Sequence, residues 1–310
     1  MNKNYPFFTN YSSGWSVGFN KSIDIDHLEI SKNNILTSDD VSESSRFIAD
    51  PFFIRKGDSL YLFVENQGYV KGATIDLFVA GNDLNFEYQG EVISEDFHMS
   101  YPQVFESNGE YYMLPETKRS NNVLLYKASK FPKKWAVSDT LIKNVRYKDP
   151  TIFKNEYGWY IITCNDDLEL KCFYSDSLNS RFEPILDIPN LEGNEVRPGG
   201  RAIFYEDKIL IPFQNSKYGY GSAITLKEVL FKDERSLYFK DFKNTFISGQ
   251  SQIDVFSNGM HHVDFQYDTV FKENLVFYDG DKKIDSTRFN WKRTLKYNYL
   301  DLRNWILNEY

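Results

Sequence analysis

The sequence predicts an all-β fold, a single five-bladed β-propeller of four-stranded blades over residues 1–310 with a short C-terminal helix. Three observations predict it. A two-strand unit recurs about every fifty residues, the period of a four-stranded propeller blade. Aromatic residues (22 Tyr, 26 Phe, 5 Trp) make up 17% of the chain, and such side chains favour pleated, half-buried strands. Helical periodicity is weak except in LKEVLFKD from Leu226 and LDLRNWILNEY from Leu300, where the apolar spacing fits short amphipathic helices.

The units follow in order. The first reads ADPFFIRKGDSLYLFVEN from Ala49, the second SYPQVFESNGEYYMLPET from Ser100, the third KDPTIFKNEYGWYIITCN from Lys148. PGGRAIFYEDKILIPFQN from Pro198 and HHVDFQYDTVFKENLVFYDG from His261 are looser copies. Each opens on a polar residue, often beside Pro, then runs through an apolar strand, a Gly/Asn/Asp/Lys turn and an aromatic-rich strand, the pattern of a hairpin. Blade heads fall near residues 50, 101, 149, 200 and 262. Third strands read as TIDLFVA from Thr74, VLLYKA from Val123 and KCFYS from Lys171, with an outer strand such as WAVSDTLI from Trp135. The stretch before Asp50 is expected to supply a strand that closes the ring with the last blade. Gly199-Gly200 reads as a close approach of backbone to a neighbour or ligand.

Composition excludes several classes. With 44 acidic and 36 basic residues and a net charge of −8, no basic footprint offers itself to nucleic acid or anionic lipid. No signal-peptide h-region and no long apolar run is present, so no transmembrane segment is expected and the cytoplasm is the expected location. Cys164 and Cys172, the two cysteines, are expected to stay reduced. No phosphate-cradling glycine loop or nucleophile elbow occurs. Asp24-Ile25-Asp26 has the D-x-D form without the βα alternation that would give it meaning.

In a propeller the head of each blade meets the others at one mouth of the central channel. Reading those positions brings together Asp50, His98, Tyr101, Asp149, Arg197, Arg201, His261, His262 and Asp264. Three of the four histidines are in this set. Glu65 and Glu116 end the second strands of blades one and two at the same offset. Glycosyl chemistry needs two carboxyl groups flanking the anomeric carbon, one protonated and one ionised, and Asp50, Glu65, Glu116 and Asp149 are the candidates. Burial beside like charges would suit one as acid, and an arginine neighbour would keep another ionised. His98, Tyr101, Arg197, Arg201, His261, His262 and Asp264 are the candidate substrate-binding set. The arginines would alternatively grip a phosphate or carboxylate. Neighbours on a strand point to opposite faces, so His261 and His262 are not expected to share a metal. No metal and no cofactor is expected.

The segments ADPFF with YLFVE, HMSYPQVFE with YMLPET, KDPTIF with GWY, and RPGGRAIF followed by PFQNSKYGYG resemble the N-terminal propeller domain of the glucosamine inositolphosphorylceramide transferase family. The likeness runs from about Trp15 to Asp264. It implies a propeller associated with sugar modification; in the plant proteins a separate C-terminal domain resembles the glycosyltransferase. More distantly, Asp50 and the Asp149-Pro150 pair are similar to the five-bladed glycosidases acting on furanosides, fructans and arabinans. Those families use an Asp of blade one with acidic residues of blades two and three, which here implies Glu116 and Asp149.

Three functions follow as expectations. The first is an enzyme acting on glycosidic bonds or sugar intermediates in cell-surface glycan biosynthesis, with a carbohydrate or sugar-phosphate ligand. The second is a non-catalytic glycan-binding propeller, and the third a scaffold for a glycosyltransferase partner.

Overall fold

The computed structural model describes residues 8–10, 14–41, 45–68, 72–188, 193–217, 219–282 and 287–289. Five four-stranded antiparallel sheets are arranged as the blades of a propeller. Blade one is Ser45–Lys56, Ser59–Gly68, Thr74–Ala80 and Glu87–Ile93; blade two is Ser100–Ser107, Glu110–Glu116, Asn122–Lys130 and Lys134–Lys143. Blade three is Lys148–Lys154, Trp159–Cys164, Leu170–Ser175 and Glu183–Pro184, and blade four Ile203–Tyr205, Lys208–Asn215, Ala223–Asp233 and Ser236–Ser248. In blade five, Val263–Asp268 and Glu273–Asp281 are completed by Trp15–Ser22 and Ile35–Leu36 from the other end of the chain. That pairing, from Trp15 opposite Asp281 to Ser22 opposite Asn274, is the expected ring closure. A separate two-stranded ribbon joins Phe8–Asn10 to Thr287–Phe289.

The aromatic content is spent between blades. Five apolar clusters fill the five interfaces. Phe52, Phe63, Leu77, Met113 and Tyr126, for example, join blades one and two, and Val17, Phe19, Phe53, Leu62 and Phe277 join blades five and one. Cys164 and Cys172 are buried free thiols in the cluster between blades three and four, and burial raises both pKa values, that of Cys164 to about 12.

One expected element differs. LKEVLFKD is part of the strand Ala223–Asp233, paired on both sides. Register shifts between Ile224 and Leu226 and between Leu226 and Lys227 break the two-residue alternation, and a strand whose phase is reset by bulges imitates helical spacing. The helix expected from Leu300 lies outside the described residues. Among the described residues, no helix is long and apolar enough to cross a membrane.

The repeat has a backbone counterpart at the axis. Asp50, Tyr101 and Asp149 each have positive φ (51°, 53° and 46°), and each precedes a proline. At each the inner strand gains a residue against its partner, with register shifts between Ala49 and Phe52, Ser100 and Gln103, and Lys148 and Thr151. Gly200 takes the same place in blade four at φ 149°; a Cβ there would lie 1.8 Å from the Val263 carbonyl oxygen. A left-handed non-glycine residue costs of order 1–3 kcal/mol. Three such residues at one repeat position show that the bulge is the device that turns blade heads toward the axis.

Candidate functional site at the propeller axis

The axis is a packed plug rather than an open channel. Tyr101 reaches from blade two to blade four, where its hydroxyl donates to the Gly200 carbonyl (2.9 Å) and accepts from the Gly200 N–H (2.7 Å). Gln103 clamps Ile152 of blade three through both backbone groups (2.7 and 2.8 Å). Deeper, Arg201 forks onto Asp264 (2.8 and 3.3 Å), and Asp264 also accepts from Phe53 N–H (2.9 Å) and Gln266 (3.1 Å). Beyond that pair Arg55 bonds Asp268. Tyr101, Arg201 and Asp264 therefore lie in and below the plug, and Arg201 lines a cavity of about 560 Å³ with Phe204 and Tyr267.

Above the plug five carboxyl groups converge: Asp50, Glu65, Glu116, Asp149 and Asp279, all buried. Arg197 reaches Asp149 with a fork (Nε to Oδ2 2.5 Å, Nη2 to Oδ1 3.0 Å) and approaches Glu116 at 3.9 Å. Gln214 also donates to Asp149 (2.7 Å). Asp279 accepts from His261 Nδ1 (2.7 Å), from the N–H groups of His261 and His262 (3.2 and 3.0 Å), and from Asp50 N–H (3.0 Å). Asp50 Oδ2 accepts from Tyr101 N–H (3.1 Å), and Glu116 from Asp149 N–H (3.2 Å). Glu65 lies 3.6 Å from His98.

These surroundings separate the carboxyls into two kinds. Burial alone would raise Asp149 and Asp279, but the Arg197 fork outweighs it at Asp149 and His261 outweighs it at Asp279, so both stay below the usual range. Asp50, Glu65 and Glu116 have too little compensation. Burial pushes Asp50 up to about 7, with Asp149 and Asp279 adding to the rise against His261. Glu116 rises to about 8 through burial and the charge of Asp149. Glu65 goes well above its usual value, from burial and its four carboxylate neighbours. Carboxyls pushed up and carboxyls held low thus stand side by side, the separation that acid–base chemistry uses.

The rim is aromatic and cationic. Tyr220 is 57% exposed, set edge-on to Trp15 (6.0 Å) and His261 (5.4 Å), with its hydroxyl 3.5 Å from Arg197. Trp15 stacks on His261 at 3.8 Å. His98 belongs to a cavity of about 590 Å³ that Gln67, Arg119 and Arg146 also line. Asp24 is not at the axis; it accepts from His27 in an exposed turn.

The structure thus gathers Asp50, Glu65, Glu116, Asp149, His98, Arg197 and His261 at one mouth and sets Tyr101, Arg201 and Asp264 beneath it. His262 sits between, fully buried beside Asp50. Sequence reasoning missed Asp279 and Gln214. Both lie near the ends of second strands, in LVFYD and LIPFQ, as Glu65 and Glu116 do, so the repeat itself held the signal. Trp15 and Tyr220 lie outside the repeat; their signal was the family resemblance, which starts at about Trp15 and includes Tyr220 in PFQNSKYGYG. His261 and His262 precede the strand Val263–Asp268, so the opposite-face rule does not apply, and both rings approach Asp50.

A family model described as Glucosamine inositolphosphorylceramide transferase 1, N-terminal, matches residues 30–281. The chain is 33% identical over 210 residues to glucosamine inositolphosphorylceramide transferase 1 of Arabidopsis thaliana, covering 61% of this chain and 26% of the relative. It is 29% identical over 263 residues to the protein of that name in Oryza sativa subsp. japonica, covering 79% and 34%. The chain thus spans about a quarter to a third of the length of these curated relatives. Among solved structures, an exo-1,5-α-L-arabinanase from a bovine ruminal metagenomic library aligns with TM-score 0.53 at 11% identity, covering 75% of this chain and 95% of that one. A thermostable family-43 glycoside hydrolase aligns with TM-score 0.54 at 13% identity, covering 76% and 89%. At such identities the likeness is one of fold.

Proposed function

The chain belongs to the glucosamine inositolphosphorylceramide transferase 1 N-terminal family, and on that premise we propose that it is a carbohydrate-active enzyme whose axial mouth performs acid–base chemistry at a glycosidic or glycosyl-phosphate bond. The observation that carries this reading is the convergence of five buried carboxyls, in which Arg197 and His261 bond Asp149 and Asp279 and hold them low while burial pushes Asp50, Glu65 and Glu116 up. Glu116 is the general acid, because its proton survives to about pH 8 and its side chain keeps some contact with solvent. Asp149, fixed by Arg197, maintains that proton electrostatically, and Asp50 is the second carboxyl of the pair. Tyr220 offers an exposed ring for a sugar face. Arg197 and Arg201 are committed to Asp149 and Asp264, and Arg146 to Asp166, so a phosphate on the ligand would be met instead by Arg119 in the cavity beside His98.

The setting we propose is cytoplasmic surface-glycan biosynthesis, with a glycosyltransferase as functional partner. The test is turnover of a panel of p-nitrophenyl glycosides and sugar 1-phosphates, with thermal shift as the binding readout. We expect a substrate whose conversion falls at least about 100-fold in Glu116→Gln and in Asp50→Asn. Conversion undiminished in both variants would overturn the catalytic assignment. Binding without conversion would favour the glycan-binding alternative, for which the His98 cavity is the supporting feature.

A further inference from the structure

Asp50 faces two histidines whose ring nitrogens are of opposite kind. His262 is fully buried, and its Nε2 lies 3.0 Å from the Pro51 carbonyl oxygen. A carbonyl only accepts, so Nε2 carries the proton, and burial keeps the ring neutral by pushing its pKa down to about 4. Its Nδ1 is then a lone pair, which has no hydrogen-bond partner and faces Asp50 Oδ1 at 3.7 Å. His261 is the reverse case. Its Nδ1 donates to Asp279 (2.7 Å). Burial alone would lower its pKa, but the charge and hydrogen bond of Asp279, together with Asp50, outweigh burial and favour the imidazolium. Nε2 then carries a proton as well, and it faces the same Asp50 Oδ1 at 3.9 Å. Packing holds both rings: Trp15 stacks on His261 at 3.8 Å, and Phe52 and Tyr101 meet His262 in T-shaped contacts at 4.5 and 5.2 Å. Asp50 Oδ2 takes the Tyr101 N–H, while Oδ1 is hydrogen-bonded to neither ring. One carboxyl oxygen thus has a donor and an acceptor within 4 Å, each suited to a different protonation state.

We propose that Asp50 exchanges a proton during the reaction and that His261 and His262 are its positioning residues, His261 for the ionised carboxylate and His262 for the protonated acid. The inference rests on the axial mouth being the reacting site. When ionised, Oδ1 accepts from His261 Nε2–H. When protonated, it donates its O–H to His262 Nδ1, the partner which that lone pair otherwise lacks. Leaving a buried donor or acceptor unpaired is what makes proton movement costly away from water, and here each state of Asp50 has its partner. Asp149, Asp279 and Glu65 act toward the protonated form by like charge, and Arg197 acts against them. The two histidines add a direct contact for each form. In the proposed displacement Glu116 gives its proton to the departing oxygen as that oxygen's bond to the sugar carbon breaks. Asp50 takes a proton from the incoming water or hydroxyl as the new carbon–oxygen bond forms. Asp50 ends the step protonated against His262 and Glu116 ends it ionised; one proton passed from Asp50 to Glu116 through solvent restores both.

The test needs no sugar. The full chain is labelled with carboxyl-13C aspartate and ring-15N histidine and its NMR signals are followed against pH, with Asp50→Asn identifying the Asp50 resonance. His262→Phe removes the acceptor for the Asp50 proton, so the Asp50 pKa should fall by about one unit; His261→Gln removes the cation beside the carboxylate, so it should rise by about one unit. In the wild type the His262 Nδ1 signal should move with the Asp50 titration while Nε2 stays protonated throughout. A merely structural role for the two rings gives no reason for shifts of opposite sign. Shifts of the same sign, or none, would overturn the proposal, as would a His262 ring protonated on Nδ1 or an Nδ1 signal indifferent to Asp50. The wild-type histidine signals decide the matter if a variant does not fold. Failure of the glycoside panel to show turnover counts against the proposed reaction alone, because opposite shifts in the unliganded chain support the two-histidine assignment whatever that panel yields.

Discussion

The upper and lower halves of the axial plug use the same residue types to opposite effect. Below, Asp264 has the Arg201 fork and two further donors, and Asp268 has Arg55. Each buried carboxylate there has its own guanidinium. Above, five carboxyl groups share Arg197 and His261 as their close cations among the described residues. The lower layer is what a ring of blades needs to hold its centre together; the upper layer is not. Burial pushes three of its five carboxyls, Asp50, Glu65 and Glu116, toward the protonated form while Asp149 and Asp279 are held low, and natural chains keep such arrangements chiefly where they perform chemistry. The difference teaches that position at a blade head is insufficient to assign function. The charge balance around the head decides.

The largest effect should come from breaking the lower layer. Arg201→Met leaves Asp264 as an uncompensated buried charge, which costs about 3–5 kcal/mol, read from the midpoint of a denaturant transition. Glu116→Gln in the upper layer should cost nothing or stabilise slightly at pH 8, because it removes a carboxyl that burial already penalises. If the two variants are equally damaging, the contrast between the layers is broken.

The next effect is in pH. Glu116 has a folded pKa of about 8 against an ordinary 4.5, so the native state binds its proton more tightly than the unfolded chain. Its stabilising contribution is fully present below about pH 4.5 and is lost as pH rises through 8. Stability should therefore fall between pH 5 and 8.5 by up to about 4 kcal/mol from this group. Asp149, with its lowered pKa, acts in the other direction, losing its contribution as pH falls below the ordinary aspartate range. Thermal melts of wild type and Glu116→Gln across that range sharpen the comparison. The variant's slope should be shallower, and identical slopes would show that Glu116 does not hold the proton.

Much of the fold was legible because the repeat is a covalent fact. The offsets that align Asp50, Tyr101, Asp149 and Gly200 reappear as one bulge with left-handed φ, and Trp15–Ser22 closes the ring as the leftover N-terminal stretch implied. Depth along the axis was not legible. Arg197 and Arg201 are four residues apart in sequence, and one reaches up to Asp149 while the other reaches down to Asp264; both are blade-four heads to a reader of the sequence. The pairing of His261 with Asp279 and of His262 with Pro51 was likewise hidden, because it depends on backbone that is not yet strand. Tyr220 stood in the segment PFQNSKYGYG, but the repeat gave it no role, because it belongs to a connection within blade four that no other blade repeats.

Tyr220 also provides the smallest and most selective test. It is 57% exposed, so its removal forfeits little burial, and Tyr220→Ala should leave the Tm within about 2 °C of wild type, since substitutions of exposed side chains fall mostly within ±0.5 kcal/mol. Its neighbour Trp15 is only 8% exposed and stacks on His261, so Trp15→Ala should cost about 3–5 kcal/mol. The two rings touch, yet one belongs to the packing and the other faces the solvent above the carboxyls. If the mouth receives a sugar, the exposed ring is the surface it stacks on, and its loss should weaken binding by about 1 kcal/mol, roughly a five- to tenfold rise in Kd. Isothermal titration with the best ligand from the glycoside panel measures this directly. Unchanged affinity in Tyr220→Ala would move the ligand away from Tyr220, toward the cavity beside His98, and with it the boundary between the part of the axis that holds the ring together and the part that meets the substrate.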